Sequence, residues 1–189
     1  MASWCIVHPK SDAFIAELRA EFPSFRIVPK HESKLQRAID VALKVLTLGQ
    51  QRAYLTRYHT VLGDVLYVPS AWPQTSDDAR YITLRHERVH LRQRRRYGTI
   101  GMALLYLLPI LPLGLALGRA RIEWEAYTET LRATAEVHGL QAARDSRLHD
   151  ELVRRFTSGA YGWMWPFPRA VRRWIATALE EIAREVGTP

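Results

Sequence analysis

The chain has 189 residues, a single cysteine and a formal net charge of +8, with a pI near 10.0. That length holds one domain with a sizeable core, and the lone Cys5 excludes an internal disulfide framework and fits a reducing compartment. The basic balance permits contact with nucleic acid, anionic lipid or acidic protein and chooses none of them.

The opening MASWCIVHPK has no basic region followed by an apolar core, so no secretory signal is expected and the expected location is cytoplasmic. Ser11 caps a helix expected over Asp12 to Glu21, with Phe14, Ile15 and Leu18 as its apolar side and Pro23 beyond its end. Phe25 to Val28 reads as a short strand that stops at Pro29. Glu32 to Leu48 is expected as a second helix, with Leu35, Ala38, Ile39, Ala42, Val45 and Leu46 as its apolar stripe and Gly49 as its stop. From Arg52 the period changes. Tyr54, Leu55, Tyr58, Thr60, Val61 and Leu62 are strand-type residues, Gly63-Asp64 is a turn signal, and Val65 to Val68 returns; together they predict a β-hairpin. His59 has no metal-ligand spacing with its neighbours and reads as structural.

The stretch Tyr81 to Tyr97, YITLRHERVHLRQRRRY, contains His86-Glu87-Arg88-Val89-His90. Residues four apart on a helix share a face, so both imidazoles can reach one metal ion, with Glu87 placed to act as a general base. Ser76, Asp77 and Asp78 are good helix starts, and Gly98 is a plausible stop. Ile82, His86, Val89, His90, Gln93 and Tyr97 fall on one helical stripe, while Arg85, Arg88, Arg92, Arg95 and Arg96 lie off it, towards solvent.

Ile100 to Gly118 carries no charge, and arginines flank it on both sides. Hydropathy alone makes it a transmembrane candidate; Pro109, Pro112, Gly114 and Gly118 argue against one straight span. Helices are expected over Arg119 to Val137, ended by Gly139, and over Leu140 to Thr157. Ser158 to Pro168 is an aromatic loop containing Trp163-Met164-Trp165. A last helix runs to about Val186 on a Val171, Trp174, Ile175, Ala178, Leu179, Ile182, Val186 face.

Catalytic zinc ordinarily takes three protein ligands and keeps one open position. Glu123 and Glu125 are the candidates for the third. Glu123 heads a weakly polar stripe with Ala126, Tyr127, Thr130 and Thr134. Glu125, Glu129, Arg132 and Glu136 form a charged stripe with the look of a solvated face carrying local ion pairs. Glu123 is therefore the expected ligand. A single span across residues 100–118 would part Glu123 from His86 and His90, so the segment must double back, as a buried hairpin or a shallow membrane-inserted one.

An H-E-x-x-H helix followed by a helical E-x-x-A resembles the gluzincin branch of the zincin metallopeptidases, and the chain is most similar to the small single-domain minigluzincins. The specific part of the likeness covers about Val65 to Thr130. It implies an α+β, mostly helical zincin-like fold, with a small sheet and hairpin beside the active-site helix. It implies one Zn2+ per chain held by His86, His90 and Glu123, Glu87 as general base and acid, and Ala126 as the small residue that lets helices approach. Where many gluzincins carry an Asp that orients a zinc histidine, this chain has Tyr127, a weaker acceptor.

The expectation is one domain over residues 1–189 with an apolar hairpin at about 100–118, acting as a zinc metallopeptidase on a peptide or protein substrate. Tyr161 is the candidate donor to the tetrahedral oxyanion, against an ordinary packing role. Competing readings are a zinc protein without peptidase activity, latent or acting on another amide or ester, and a basic binding module. No specific nucleic-acid partner is expected. Peripheral membrane contact is expected, if anywhere, through residues 100–118 and the tryptophan cluster.

Overall fold

The structure is a computed structural model that describes residues 9–46, 54–107, 116–158 and 164–187. The chain is α+β and mostly helical, with a small three-stranded mixed sheet. It divides into two compact units, 1–87 and 88–189.

In the first unit, α1 (Pro9–Glu21) begins with a proline at its first helical position, where no backbone donor is needed. It buries Phe14 and Leu18. β1 (Arg26–Pro29) lies at one edge of the sheet, β2 (Thr60–Leu62) at the other, and β3 (Val65–Val68) between them, parallel to β1 and antiparallel to β2. Leu62 pairs with Val65 across Gly63-Asp64, and Gly63 takes the positive φ of 63° that such hairpin turns demand.

Two expectations are corrected here. In α2 (Lys34–Leu46) the faces are reversed. Gln36 and Asp40 are buried, whereas Leu35, Val41 and Val45 are exposed, Val45 by 69%. Tyr54 and a 2.6 Å Lys44–Asp40 ion pair occupy the polar side, giving that face a reason to turn inward. The second correction concerns Tyr54 to Arg57, which forms a short helix, α3, so the first hairpin strand starts only at Thr60. The tyrosine hydroxyl donates to Gln36 Oε1 at 2.6 Å and the Tyr54 carbonyl accepts from Lys30 Nζ at 3.1 Å, and these tertiary bonds override its strand preference.

α4 (Asp77–Leu107) is broken at Gly98, whose φ of 68° and ψ of 170° belong to glycine almost alone. Ser76 Oγ accepts from the Ala79 amide at 3.3 Å, the expected cap. The buried line of its first part is Leu84, Glu87 and Leu91, with the two histidines half-buried beside it. Gln93, on the expected stripe, is buried too, so this part of the helix is buried on two sides: along the expected stripe, and along the Leu84, Glu87 and Leu91 line roughly 140° round from it. Arg92, Arg95 and Arg96 are exposed as expected, but Arg85 and Arg88 are half-buried.

α5 (Leu117–His138) is stopped by Gly139, as expected. The chain doubles back before it: a Cβ on Gly118 would stand 2.7 Å from the Leu105 carbonyl oxygen, so the two helix ends meet there at a distance only glycine allows. The described side chains of this stretch, at 100–102, 104, 105 and 116–118, are half-buried or exposed, and the tip of the expected hairpin, 108–115, lies outside the described residues. No helix among the described residues is long and apolar enough to cross a membrane.

The single helix expected over Leu140 to Thr157 is two, α6 (Leu140–Ala143) and α7 (Ser146–Thr157). Asp145 caps α7 by accepting from the Arg147 amide at 2.7 Å, a local bond that competes with helix continuation. α8 (Pro168–Gly187) buries Val171, Ile175, Ala178, Leu179 and Ile182, while Val186 is exposed. α5 to α8 share one core, in which Phe156 packs edge-on against Trp124, Tyr127 and Trp174. Met164 is buried in that core, and the half-buried Trp165 packs on Trp174 with ring centres 5.7 Å apart. Trp163 lies outside the described residues, as do Cys5 and Tyr161.

Candidate metal centre

His86 and His90 lie four residues apart on α4, ahead of its break at Gly98. The step from His86 to His90 is therefore set by helical geometry alone. Glu123 comes from the second turn of α5. It is only 8% exposed, and its Oε2 stands 3.9 Å from His90 Nε2. One ligand atom from each of His86, His90 and Glu123 lies within 4.8 Å of the others. Two ligands of a tetrahedral zinc sit about 3.3 Å apart. The three side chains thus fit a zinc after a contraction of roughly an ångström, within reach of small rotamer adjustments. Their donor set, two imidazoles and one carboxylate, is that of a catalytic zinc with an open position.

Glu87 follows His86 directly and is buried to 7% exposure. Within the first unit it attracts Lys30, a lysine with no exposed surface. Lys30 Nζ donates to the Tyr54 carbonyl and stands 3.5 Å from the centre of the Tyr54 ring. Burial lowers its pKa to about 8, against the attraction first of Glu87 and then of Asp40, which both favour the ammonium. A buried cation therefore faces the proposed base. No sequence signal marked Lys30, since an isolated lysine after a proline is ordinarily solvated.

Three further residues differ from expectation. Gln93, foreseen only as a member of the stripe, is 3% exposed and places Oε1 3.0 Å from His90 Nδ1. Its amide nitrogen donates to the Ile122 carbonyl at 3.0 Å and to Glu125 Oε2 at 2.8 Å. Glu125 is accordingly not a purely solvated carboxylate, although Arg121 also approaches it at 3.8 Å. Elsewhere on its stripe Arg132 bonds both Glu129 and Glu185 of α8, ion pairing of the kind expected of this face, and Glu136 is exposed. Tyr127 sends its hydroxyl to another element, accepting from Arg155 Nη1 at 3.0 Å, and the His90 ring meets Gln93. His59 meets Trp72 edge-on at 5.3 Å, in keeping with a packing role.

No protein-family model, curated protein or solved structure matches the chain.

Proposed function

We propose that this chain is a zinc-dependent hydrolase, with peptide-bond cleavage as the favoured reaction. The grouping of His86, His90 and Glu123 beside a buried Glu87 carries this reading. A purely structural zinc would need no carboxylate next to its ligands, whereas hydrolysis needs a base there. The likeness of H-E-x-x-H plus E-x-x-A to gluzincins supports the same choice.

Zinc held by these three residues would supply Lewis acidity and lower the proton affinity of a water. Glu87 then accepts the proton of the attacking water on its carboxylate and returns it to the leaving nitrogen. Lys30, attracted by Glu87, holds a buried positive charge on this side of the site. β2, an edge strand, offers free main-chain groups to an extended substrate. Tyr161 is the candidate oxyanion donor, tested by Tyr161→Phe.

The test is a screen of the zinc-loaded full chain against casein and a mixed peptide library, with Glu87→Gln as control. Expected is cleavage in wild type, reduced about 10^2- to 10^4-fold in Glu87→Gln at unchanged zinc content. Cleavage that survives Glu87→Gln would sink the mechanism. Zinc binding with no cleavage would favour a zinc protein of another activity.

A second reading concerns where the chain works. Ile100, Leu104 and Leu117 are exposed, Ile100 by 78%, at the point where α4 and α5 meet, and the arginines Arg96 and Arg121 nearby are exposed too. Apolar side chains collared by arginine suit the interface of an anionic membrane.

A further inference from the structure

We infer that Gln93 is the positioning residue of the metal centre: it holds the His90 ring in the tautomer that offers Nε2 to the metal, and Glu125 requires that position to be an amide. The inference rests on the metal-site reading above.

The amide of Gln93 cannot turn over. Its nitrogen donates to the Ile122 carbonyl and to the Glu125 carboxylate, and both of these groups can only accept. A flipped amide would set an oxygen against two oxygens. Gln93 Oε1 must therefore face His90 Nδ1, at 3.0 Å. An amide oxygen only accepts, so Nδ1 carries the hydrogen. In a neutral imidazole the lone pair then belongs to Nε2, the atom that faces Glu123. The Gln93 end of these bonds is shielded from water at 3% exposure, and the bond to Ile122 is fully buried, whereas the Glu125 side chain is 38% exposed. They also join the two ligand-bearing helices, since Ile122 and Glu125 flank Glu123 on α5.

The same geometry explains why position 93 does not carry the carboxylate that commonly orients a zinc histidine. A glutamate there would bring its charge against Glu125 Oε2, now 2.8 Å from the amide nitrogen, and against the Ile122 carbonyl. Exchanging the two side chains removes the conflict with position 125 and leaves the Ile122 carbonyl opposite a carboxylate oxygen, so affinity recovers in part. The carboxylate then at position 93 would accept from His90 Nδ1 and from the amide then at position 125.

The experiment measures zinc affinity by chelator competition for wild type, Gln93→Leu, Gln93→Glu and the exchange Gln93→Glu/Glu125→Gln. Thermal melts of the metal-free proteins and the visible spectra of cobalt-substituted samples accompany it. Expected is a loss of about 10- to 100-fold in Gln93→Leu and Gln93→Glu, a cobalt spectrum altered in Gln93→Leu, and partial recovery of affinity in the exchange. A merely structural Gln93 would lower the metal-free melting temperature and leave the affinity of the folded fraction untouched. Affinity within about twofold of wild type in Gln93→Leu, well short of the loss a lost histidine partner brings, or no recovery in the exchange, would overturn the proposal. The exchange stands as the deciding variant if Gln93→Leu does not fold. Absence of zinc binding by wild type itself would instead remove the metal-site reading from which the proposal starts.

Discussion

Asp77 closes the N-terminus of α1 from the first turn of α4: its two carboxylate oxygens accept from the backbone amides of Lys10 and Ser11, at 3.0 and 2.9 Å. The start of the histidine-bearing helix and the start of the chain's first helix thus share one carboxylate. Lys10 adds an exposed 2.6 Å ion pair to Asp78. Replacing Asp77 by alanine leaves two helix-terminal donors without their acceptor. The expected cost is about 1–2 kcal/mol of unfolding free energy, read by urea denaturation. Asp77→Asn should retain most of it, because an amide oxygen can still accept; equal losses in the two variants would show that the cap is not the cause.

His90→Ala and Glu123→Gln should each lose most bound zinc, measured by metal analysis of purified protein. Wild type is expected to hold about one zinc per chain, the stoichiometry of a three-ligand site. Glu125→Gln should keep it, since a glutamine at 125 can still present an oxygen to the Gln93 amide. Loss of zinc in Glu125→Gln with retention in Glu123→Gln would mean that the wrong face of α5 had been assigned to the metal.

Lys30 predicts a pH dependence of stability. Its folded pKa of about 8 lies below the ordinary 10.5. Below about 8 the side chain is protonated in both states, and the cost of burying it is fully present. Between about 8 and 10.5 the unfolded chain binds more protons at this group, so its contribution to stability rises with pH. Unfolding free energies of wild type and Lys30→Met should therefore converge or cross in wild type's favour across that window. Parallel curves would place Lys30 in water.

Vesicle co-sedimentation tests the exposed end of α4 and start of α5. Phosphatidylserine-containing vesicles should retain the full chain at low salt, and phosphatidylcholine vesicles should retain much less. Ile100→Glu/Leu104→Glu should abolish binding, whereas Arg96→Glu should weaken it and flatten its salt dependence. Binding unaffected by both variants would remove the membrane reading.

What was legible in the sequence was local. The spacing of His86 and His90, the caps at Ser76, and the stops at Gly98 and Gly139 depend only on helical rise and on the backbone conformations open to each residue. The Gly63-Asp64 hairpin depends on turn chemistry of the same short range. Glu123 was also readable, because the polarity of its own helical face distinguishes it from Glu125. The break at Asp145 was local too, but its cap competes with a helical pattern that continues past it.

Tertiary structure alone decided the rest, because the deciding partners come from distant parts of the chain. Periodicity gives α2 an apolar face and a polar face but does not say which one turns inward; Tyr54 and Lys44 make burial of Gln36 and Asp40 tolerable. Tyr54 itself turns helical because its side chain and carbonyl are both engaged elsewhere. Gln93 reads as an ordinary polar residue until Ile122 and Glu125 take its two donors, and Lys30 as a solvated lysine until it is buried facing Glu87. The residues grouped at the candidate metal centre follow from spacing, and the contacts made around them follow from packing, since a hydrogen bond or a buried charge acquires its meaning only when its partner arrives through space.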